Sequence, residues 1–449
     1  MVPDTSPSST DLLKLANQPH SHFDIVIAGG GTVGSLLALA LLQLPNTNQL
    51  NIAVIEAHPA DFLHSATASG KHSPSDTHPA FDNRAIAISH HSLNFLHSLG
   101  LGEHIERVTT AIRDIHVSDQ HYLGQAILSA DSLGVKASGR VIELQQFGRI
   151  LHTALGNHML SENRGHCRWF CPEAIKEVNV EQNAVQLTLQ SKQRLSASLL
   201  LVTEGGNSST RTQLPVQTQV YDYQQSAVIV NVEMSQPHDN RAFERFTETG
   251  PLAFLPMAEN RCSVVWTIAR EQERDVLNGS DEQVAQALQN AFGYRLGKVI
   301  KVGKRQVYPL RLALSNSQHL HRVALLGNAA QMLHPIAGQG FNLGLRDVED
   351  MVKTLQSYLL QANRAATVLD PSAFDPGAFE ILSAYRCKRK TDVQHTVLAT
   401  HGLVQLFSNR AVLPVIGRNL GLFCLDNMPT LKRWFGARAM GEIPTQRRD

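Results

Sequence analysis

Three glycines, Gly29, Gly31 and Gly34, stand in G-x-G-x-x-G spacing within the run IVIAGGGTVGSLLALALLQL, and Glu56 follows the last of them by 22 residues. Each has a physical task if the ligand is a dinucleotide. The first glycine permits a tight turn, the second lets backbone N–H groups approach a pyrophosphate, and the third allows a helix to touch a strand. The first turn of the following helix offers unpaired N–H groups and partial positive charge to a phosphate. An acid about 20 residues on is placed to hydrogen-bond the adenosine ribose. The elements needed to hold these groups are legible around them. FDIVIAGG has the β-branched content of a buried strand, TVGSLLALALLQL reads as a helix rich in Leu and Ala, and NIAVIEAHP as a second short strand ending at Glu56. The same run is uncharged and about as long as a membrane span, but the glycines at the junction divide it into strand and helix.

Two further segments repeat the passage from apolar strand to glycine turn. ASLLLVTEGGNSSTR (197–211) brings Glu204 and Gly205 to a turn, with Ser208 and Arg211 behind them. VALLGNAAQMLHPIAGQGFNLGLRD (323–347) brings Gly327 and Asn328, then Pro335, Gly338, Gln339, Gly340, Asn342 and Gly344, and leads into a second glycine-rich helix start. Where acids or bases commonly do chemistry, this stretch carries neutral amides. A long dinucleotide held by three separated turns suits a bound flavin better than a nicotinamide that comes and goes, and the chain has no second G-x-G-x-x-G unit for NAD(P)H.

Composition narrows the class. The chain has 449 residues, 43% of them hydrophobic, enough for a large core divided between two domains. A net charge of +1 gives no electrostatic case for nucleic acid. The 5 cysteines are irregularly spaced, which fits a reducing compartment rather than a disulfide framework. Cys167 and Cys171 beside His166 lack a second ligand pair, so a structural role is expected and no metal site. The N-terminus has no basic-then-apolar layout of a signal peptide.

On these motifs the sequence resembles the flavin-dependent aromatic hydroxylases, with the p-hydroxybenzoate hydroxylase fold. The three motifs fall in order across most of the chain: Gly29 to Gly34, Glu204–Gly205, and Gly327–Asn328 continuing to Gly344. DNRAIAISHHSLNFL (82–96) is similar to the family's Asp-x-Arg-x-x-Ala segment, which implies that Arg84 lies by the flavin. RVIELQQFGRIL, RAFERFTETGPLAFLPM and GNAAQMLHPIAGQGFNLG resemble the ubiquinone-pathway hydroxylases, in particular the 2-polyprenyl-6-methoxyphenol hydroxylase branch. Glu204 stands where the family has Asp, and Asn328 with Gln331 where it has Asp and His; the second pair is typical of that branch.

The resemblance implies an α/β fold, with a Rossmann-like FAD-binding domain (22–109, 139–213 and 307–385), an inserted mixed-sheet substrate domain (110–138 and 214–306) and a C-terminal helical region (386–449). Residues 1–21 are expected to be disordered and 64–80 to form a turn-rich, solvated insertion. Alternating runs such as QSAVIVNVEM and RCSVVWTIAR are expected strands of the substrate sheet. The implied reaction adds one oxygen atom to a polyprenylated methoxyphenol: NAD(P)H reduces FAD, O2 forms a flavin C(4a)-hydroperoxide, and the ring attacks it. Few titratable groups near such an oxidant, close packing at Pro335, Gly338, Gln339 and Gly340, and helix N–H groups that stabilise negative charge would serve that chemistry. Expected cofactor contacts are Gly29, Gly31, Gly34, Glu56, Arg84, Gln146, Glu204, Gly205, Gly327, Asn328, Gly340 and Asn342. Gln146 and Arg149 could equally be a plain helix face. His334 is either a proton shuttle or a structural histidine, and Tyr223 and Phe254 either line the substrate pocket or pack the core.

Between His401 and Gly441, five basic residues and one acid, Asp426, accompany Leu403, Leu406, Phe407, Leu422, Phe423, Trp434 and Phe435. This end is expected either to dock on a membrane or lipid-carrying partner, or to pack on the flavin domain or form an oligomer contact. A cytoplasmic protein, peripheral on the inner face of the membrane and with contacts to a quinone-biosynthesis complex, is the expected setting. Two other readings stay open: a prenyl reductase-like flavoprotein of the same fold, and a non-catalytic flavoprotein subunit of such a complex.

Overall fold

The computed structural model describes residues 21–45, 50–59, 82, 84–159, 167–365, 374–407 and 412–441. Residues 1–20 and the 64–80 stretch lie outside them; Ser21 already belongs to the first strand, Ser21–Ala28. That strand is apolar on both faces because it is central in its sheet. It pairs in parallel with Ile52–Ile55 on one side and Arg194–Val202 on the other. Cys167–Phe170 extends the sheet in parallel beyond Ile52–Ile55, and Val323–Leu325 beyond Arg194–Val202. Strands buried on both faces read as continuous apolar runs, which is how these appear in the sequence. One face carries the helices Thr32–Leu42, Leu144–Met159 and Gln339–Ala365, whose Leu36, Leu39, Leu151 and Val348 join Ile25 and Ile27 in one core. The other face packs Val26, Leu200 and Leu325 against Val185 and Leu187 of an antiparallel ribbon.

Parallel strands align their carboxyl ends. Here Ser21–Ala28 runs out into Gly29, Ile52–Ile55 into Glu56, Arg194–Val202 into Thr203 and Glu204, and Val323–Leu325 into Leu326 and Gly327. The three turns singled out in the sequence therefore meet along one sheet edge, where open α/β sheets bind ligands.

A second sheet of 9 strands is mostly antiparallel. From one edge it runs Gln331–Met332, Gln306–Ser315, Thr218–Met234, Arg261–Ala269, Gly250–Pro256, Arg241–Thr247, Asp114–Asp119 and Gln125–Ser129. QSAVIVNVEM and RCSVVWTIAR are paired neighbours within it. Helix Asp281–Phe292 covers one face, opened by a capping box in which Ser280 Oγ accepts from Gln283 N while Gln283 Oε1 accepts from Ser280 N. The expected boundary at 307 is corrected here. Gln306–Ser315 pairs along its length with Thr218–Met234, so the second sheet keeps the chain until 315. A small third sheet of Ala85–Ser89, Thr110–Ile112 and Gly139–Glu143 joins the two domains.

Three helices end the described chain, Phe379–Phe407, Val412–Asn427 and Pro429–Ala439, and the last two lie against the outer edge of the second sheet. Asn419 Oδ1 accepts from Gly124 N at 2.8 Å, Asp426 Oδ1 accepts from Ile127 N at 3.1 Å, and Arg418 Nε donates to Asp119 at 2.7 Å with both groups buried. Val412–Asn427 and Pro429–Ala439 thus form a helical layer on the substrate domain, whereas Phe379–Phe407 packs on the flavin domain, where its Ile381, Leu382 and Tyr385 join the first core and Arg389 donates to Asp347.

Candidate functional site

A cavity of about 940 Å3 runs from the carboxyl ends of the parallel sheet, between the domains, to the C-terminal helices. At its first end Gly29 has φ +102°, and a Cβ there would fall 2.9 Å from the Glu204 backbone. A Cβ on Gly34 would sit 1.8 Å from the Gly29 carbonyl oxygen, so only glycine lets the Thr32–Leu42 helix approach the first turn. That helix has no acid in its first turn and no side-chain cap at Gly31. The N–H groups of its first turn thus face a cradle kept open by missing side chains, which fits a pyrophosphate. Gly29, Gly31 and Glu56 line the cavity, and Gly34 stands behind them. The Glu56 carboxylate is buried and accepts from Gly30 N at 2.6 Å and His58 N at 2.8 Å, which fixes both the turn and its own orientation.

The second and third turns are joined by buried Arg211, whose guanidinium donates to the Gly206 carbonyl at 2.7 Å and the Ala329 carbonyl at 2.9 Å. Glu204 lines the cavity with Gly205, but its carboxylate accepts from Thr210 N at 3.0 Å, Thr210 Oγ1 at 2.8 Å and the Ser208 hydroxyl. It braces its own turn, and the neighbouring Asn207 and Ser209 also face the cavity. Gly327 and Asn328 line the third turn, with the Asn328 side chain exposed into it. The turn is held from behind by buried Asp347, which accepts from Gly327 N at 2.8 Å and Gln331 Nε2 at 2.7 Å. Gln331 thereby does with an amide what a histidine donor would do.

In the middle of the cavity lie Arg84, Ala85, Ala87, Pro335, Gly338 and Gly340. Arg84 is oriented by Asp82 at 2.7 Å and by the Tyr308 ring 5.0 Å away. Several expected residues sit elsewhere. Asn342 spends its amide on backbone, accepting from Ser89 N and donating to the carbonyls of Ala87 and Gly338, so it pins the loop instead of meeting a ligand. Gln339 and Gln146 do not line the cavity, and Arg149 is exposed on its helix. Phe254 is fully buried and stacks on Phe292, 3.9 Å between centroids, in the core behind the sheet. Tyr223 is held by His401 Nδ1 at 2.9 Å outside the lining, its ring 5.3 Å from that of His334. His334 is 1% exposed and neither ring nitrogen has a partner among the described residues; burial pushes its pKa down to about 4, so it is neutral. No described group connects it to the cavity as a shuttle would require.

The far half of the cavity is apolar. Ile115, Val117, Leu128, Ala242, Phe246, Ala253 and Leu255 come from the second sheet, and Leu403, Phe407, Leu422, Leu425 and Phe435 from the C-terminal helices. One carboxyl, Glu244, faces it from the same sheet. Sequence reasoning passed over Glu244 and the helical wall. The available signal was an acid at a period-2 position shared with Ala242 and Phe246. The thiol of Cys167 is pushed up to about 12 by burial, and no group of three metal-binding side chains occurs among the described residues.

Comparison with known proteins agrees with this arrangement. The family described as FAD binding domain matches residues 22–370. The chain is 31% identical over 426 residues to the ubiquinone hydroxylase UbiL of Rhodospirillum rubrum, covering 94% of this chain and 90% of that protein. It is 26% identical over 451 residues to the human mitochondrial ubiquinone biosynthesis monooxygenase COQ6, covering 91% of each. Among solved structures, p-nitrophenol 4-monooxygenase PnpA from Pseudomonas putida superposes with a TM-score of 0.70 at 15% identity, over 94% of this chain and 99% of that one; this likeness is one of fold.

Proposed function

The chain belongs to the FAD binding domain family, with FAD as its cofactor, and from that premise we propose that it is a flavin-dependent monooxygenase hydroxylating a lipophilic, polyprenylated methoxyphenol on the way to ubiquinone, with NAD(P)H as reductant. The observation that carries this reading is a continuous cavity, polar and glycine-lined at one end and apolar at the other. Bound FAD supplies the redox chemistry that delivers one oxygen atom from O2. The chain's residues bind, orient and enclose. Glu56 would take the ribose and the backbone N–H groups after Gly31 the pyrophosphate, with Asn328 and Arg84 flanking the region between. The Pro335–Gly340 turn, which would face the ring end, has no titratable side chain of its own, which limits stray proton transfer. The apolar walls exclude water and accept a prenyl tail.

The relatives' names favour quinone synthesis, whose substrates live in lipid. No described helix is long and apolar enough to cross a membrane. Leu420, Phe423 and Trp434 on the last two helices and Met428 between them are exposed beside Arg433 and Arg438, and contact between this surface and anionic lipid is part of the same reading. The test is aerobic incubation of the FAD-loaded protein with NADH or NADPH and a short-chain 2-methoxy-6-prenylphenol. Coupled NAD(P)H oxidation, O2 uptake and a product one oxygen heavier are expected. Reductant consumption without an oxygenated phenol would overturn the reading.

A further inference from the structure

Hydroxylation of a phenol needs a group to take the phenol's proton as the ring becomes a nucleophile, and the roles assigned so far leave that task open. Glu244 lies on Arg241–Thr247 between Ala242 and Phe246, and strand alternation puts all three on one face. That face walls the cavity. The residues paired with Glu244 from neighbouring strands, Val117 and Ala253, are apolar and line the cavity too. Ala242 packs with Ala85 and Ala87 of the flavin domain, and Phe246 with Ile336 of the Pro335–Gly338 turn. Glu244 is therefore bracketed by two points where the flavin domain meets the sheet. Its Oε1 is buried and has no hydrogen-bond partner among the described residues. An unpaired buried carboxyl is costly, and a ligand hydroxyl in the cavity would supply the missing partner.

We infer that Glu244 is the catalytic base for the phenol: its carboxylate accepts the hydroxyl proton, the phenol O–H bond breaking as the carboxyl O–H bond forms and the charge passing to the phenolate. This rests on the reading of the site as a phenol hydroxylase. Burial alone pushes the carboxyl up to about 7, which narrows the gap to a phenol near 10. The charged groups on its own strand are engaged elsewhere: Arg241 with Asp114, and Arg245 with Ser118 and the Ala291 carbonyl. From the helices, Arg418 is paired with Asp119, and from the flavin domain Arg84 is paired with Asp82.

FAD-loaded parent, Glu244→Gln and Glu244→Leu are compared with 2-methoxy-6-prenylphenol and its O-methyl ether, by turnover between pH 5.5 and 9 and by calorimetric titration of both compounds. Only the ionised carboxylate accepts a proton, so parent kcat/KM should rise with pH through about 7. Glu244→Gln should lose that rise and about a hundredfold or more in kcat/KM, while still preferring the phenol to the ether because it keeps an acceptor. Glu244→Leu should lose both rate and preference at unchanged flavin content. Parent-like rate and pH profile in both variants would overturn the base assignment alone. A parent that hydroxylates no phenol would overturn the functional reading on which it stands.

Discussion

Glu56 and Asn328 stand at opposite sides of the dinucleotide cleft, and they differ in how firmly the protein holds them. Glu56 is fixed by two backbone N–H groups and aimed into the cleft. Glu56→Ala removes charge-assisted hydrogen bonds worth roughly 1.5–3 kcal/mol, so purified protein should carry little flavin while keeping its far-ultraviolet circular dichroism. Asn328 offers one acceptor and two donors without a negative charge near the pyrophosphate. Asn328→Ala should weaken FAD binding by about 1–3 kcal/mol and Asn328→Asp should retain most of it, as dissociation constants will show. The glycine spacing and the acid made this end of the site legible in the sequence. The fates of Glu204 and Asn342 were not, because both are polar residues in the right turns whose hydrogen bonds are taken by Ser208 and Thr210 in the one case and by the backbone of Ala87, Ser89 and Gly338 in the other, and residue type does not say which partner wins. His334 differs from both, since neither ring nitrogen has a partner among the described residues. Its pKa falls from 6.5 unfolded to about 4 folded, so the unfolded chain binds the extra proton between those values and stability falls as pH drops below 6.5. His334→Phe should remove roughly 2 kcal/mol of the difference in unfolding free energy between pH 7.5 and pH 5, read from urea transitions.

At the scale of elements, the third turn is stabilised by helices behind it. Fully buried Arg389, on Phe379–Phe407, donates to Asp347 at 2.7 Å and to Asp392 at 2.6 Å, and Asp392 also accepts from Arg346 at 2.8 Å. Asp347 in turn holds Gly327 and Gln331. Removing one member leaves buried charge uncompensated, so Arg389→Met should cost about 3–5 kcal/mol of stability. Because Asp347 then loses its anchor, FAD affinity should fall as well, measurable at a temperature where the variant is still folded. The strands that end in this site were readable from their apolar runs, whereas the Arg389 tie and the strand Gln306–Ser315 were not. Both depend on partners far along the chain, and a period-2 pattern identifies a strand without naming the sheet it joins.

At the scale of the whole molecule, the C-terminal helices close the apolar half of the cavity, so any lipid surface they touch lies beside the place where a prenyl tail would be held. Their attachment runs through Asp119, Gly124 and Ile127, almost three hundred residues away in sequence, which is why composition showed an apolar, basic end but not what it covers. Their outer face keeps Leu420 59%, Phe423 62% and Trp434 50% exposed, with Arg438 4.5 Å above the Trp434 ring. None of the three apolar side chains lines the cavity. Truncation near Thr400 would remove a cavity wall and leave Asp119 buried without its cation, so it cannot separate docking from catalysis. Surface substitution can. A Leu420→Ser, Phe423→Ser, Trp434→Ser variant should keep its flavin and its turnover of a short-chain, water-soluble phenol. Its sedimentation with anionic liposomes should fall several-fold, and adding salt should weaken the parent's binding through screening of the basic residues. Equal sedimentation of variant and parent would place the lipid contact, or the partner that replaces it, on another face.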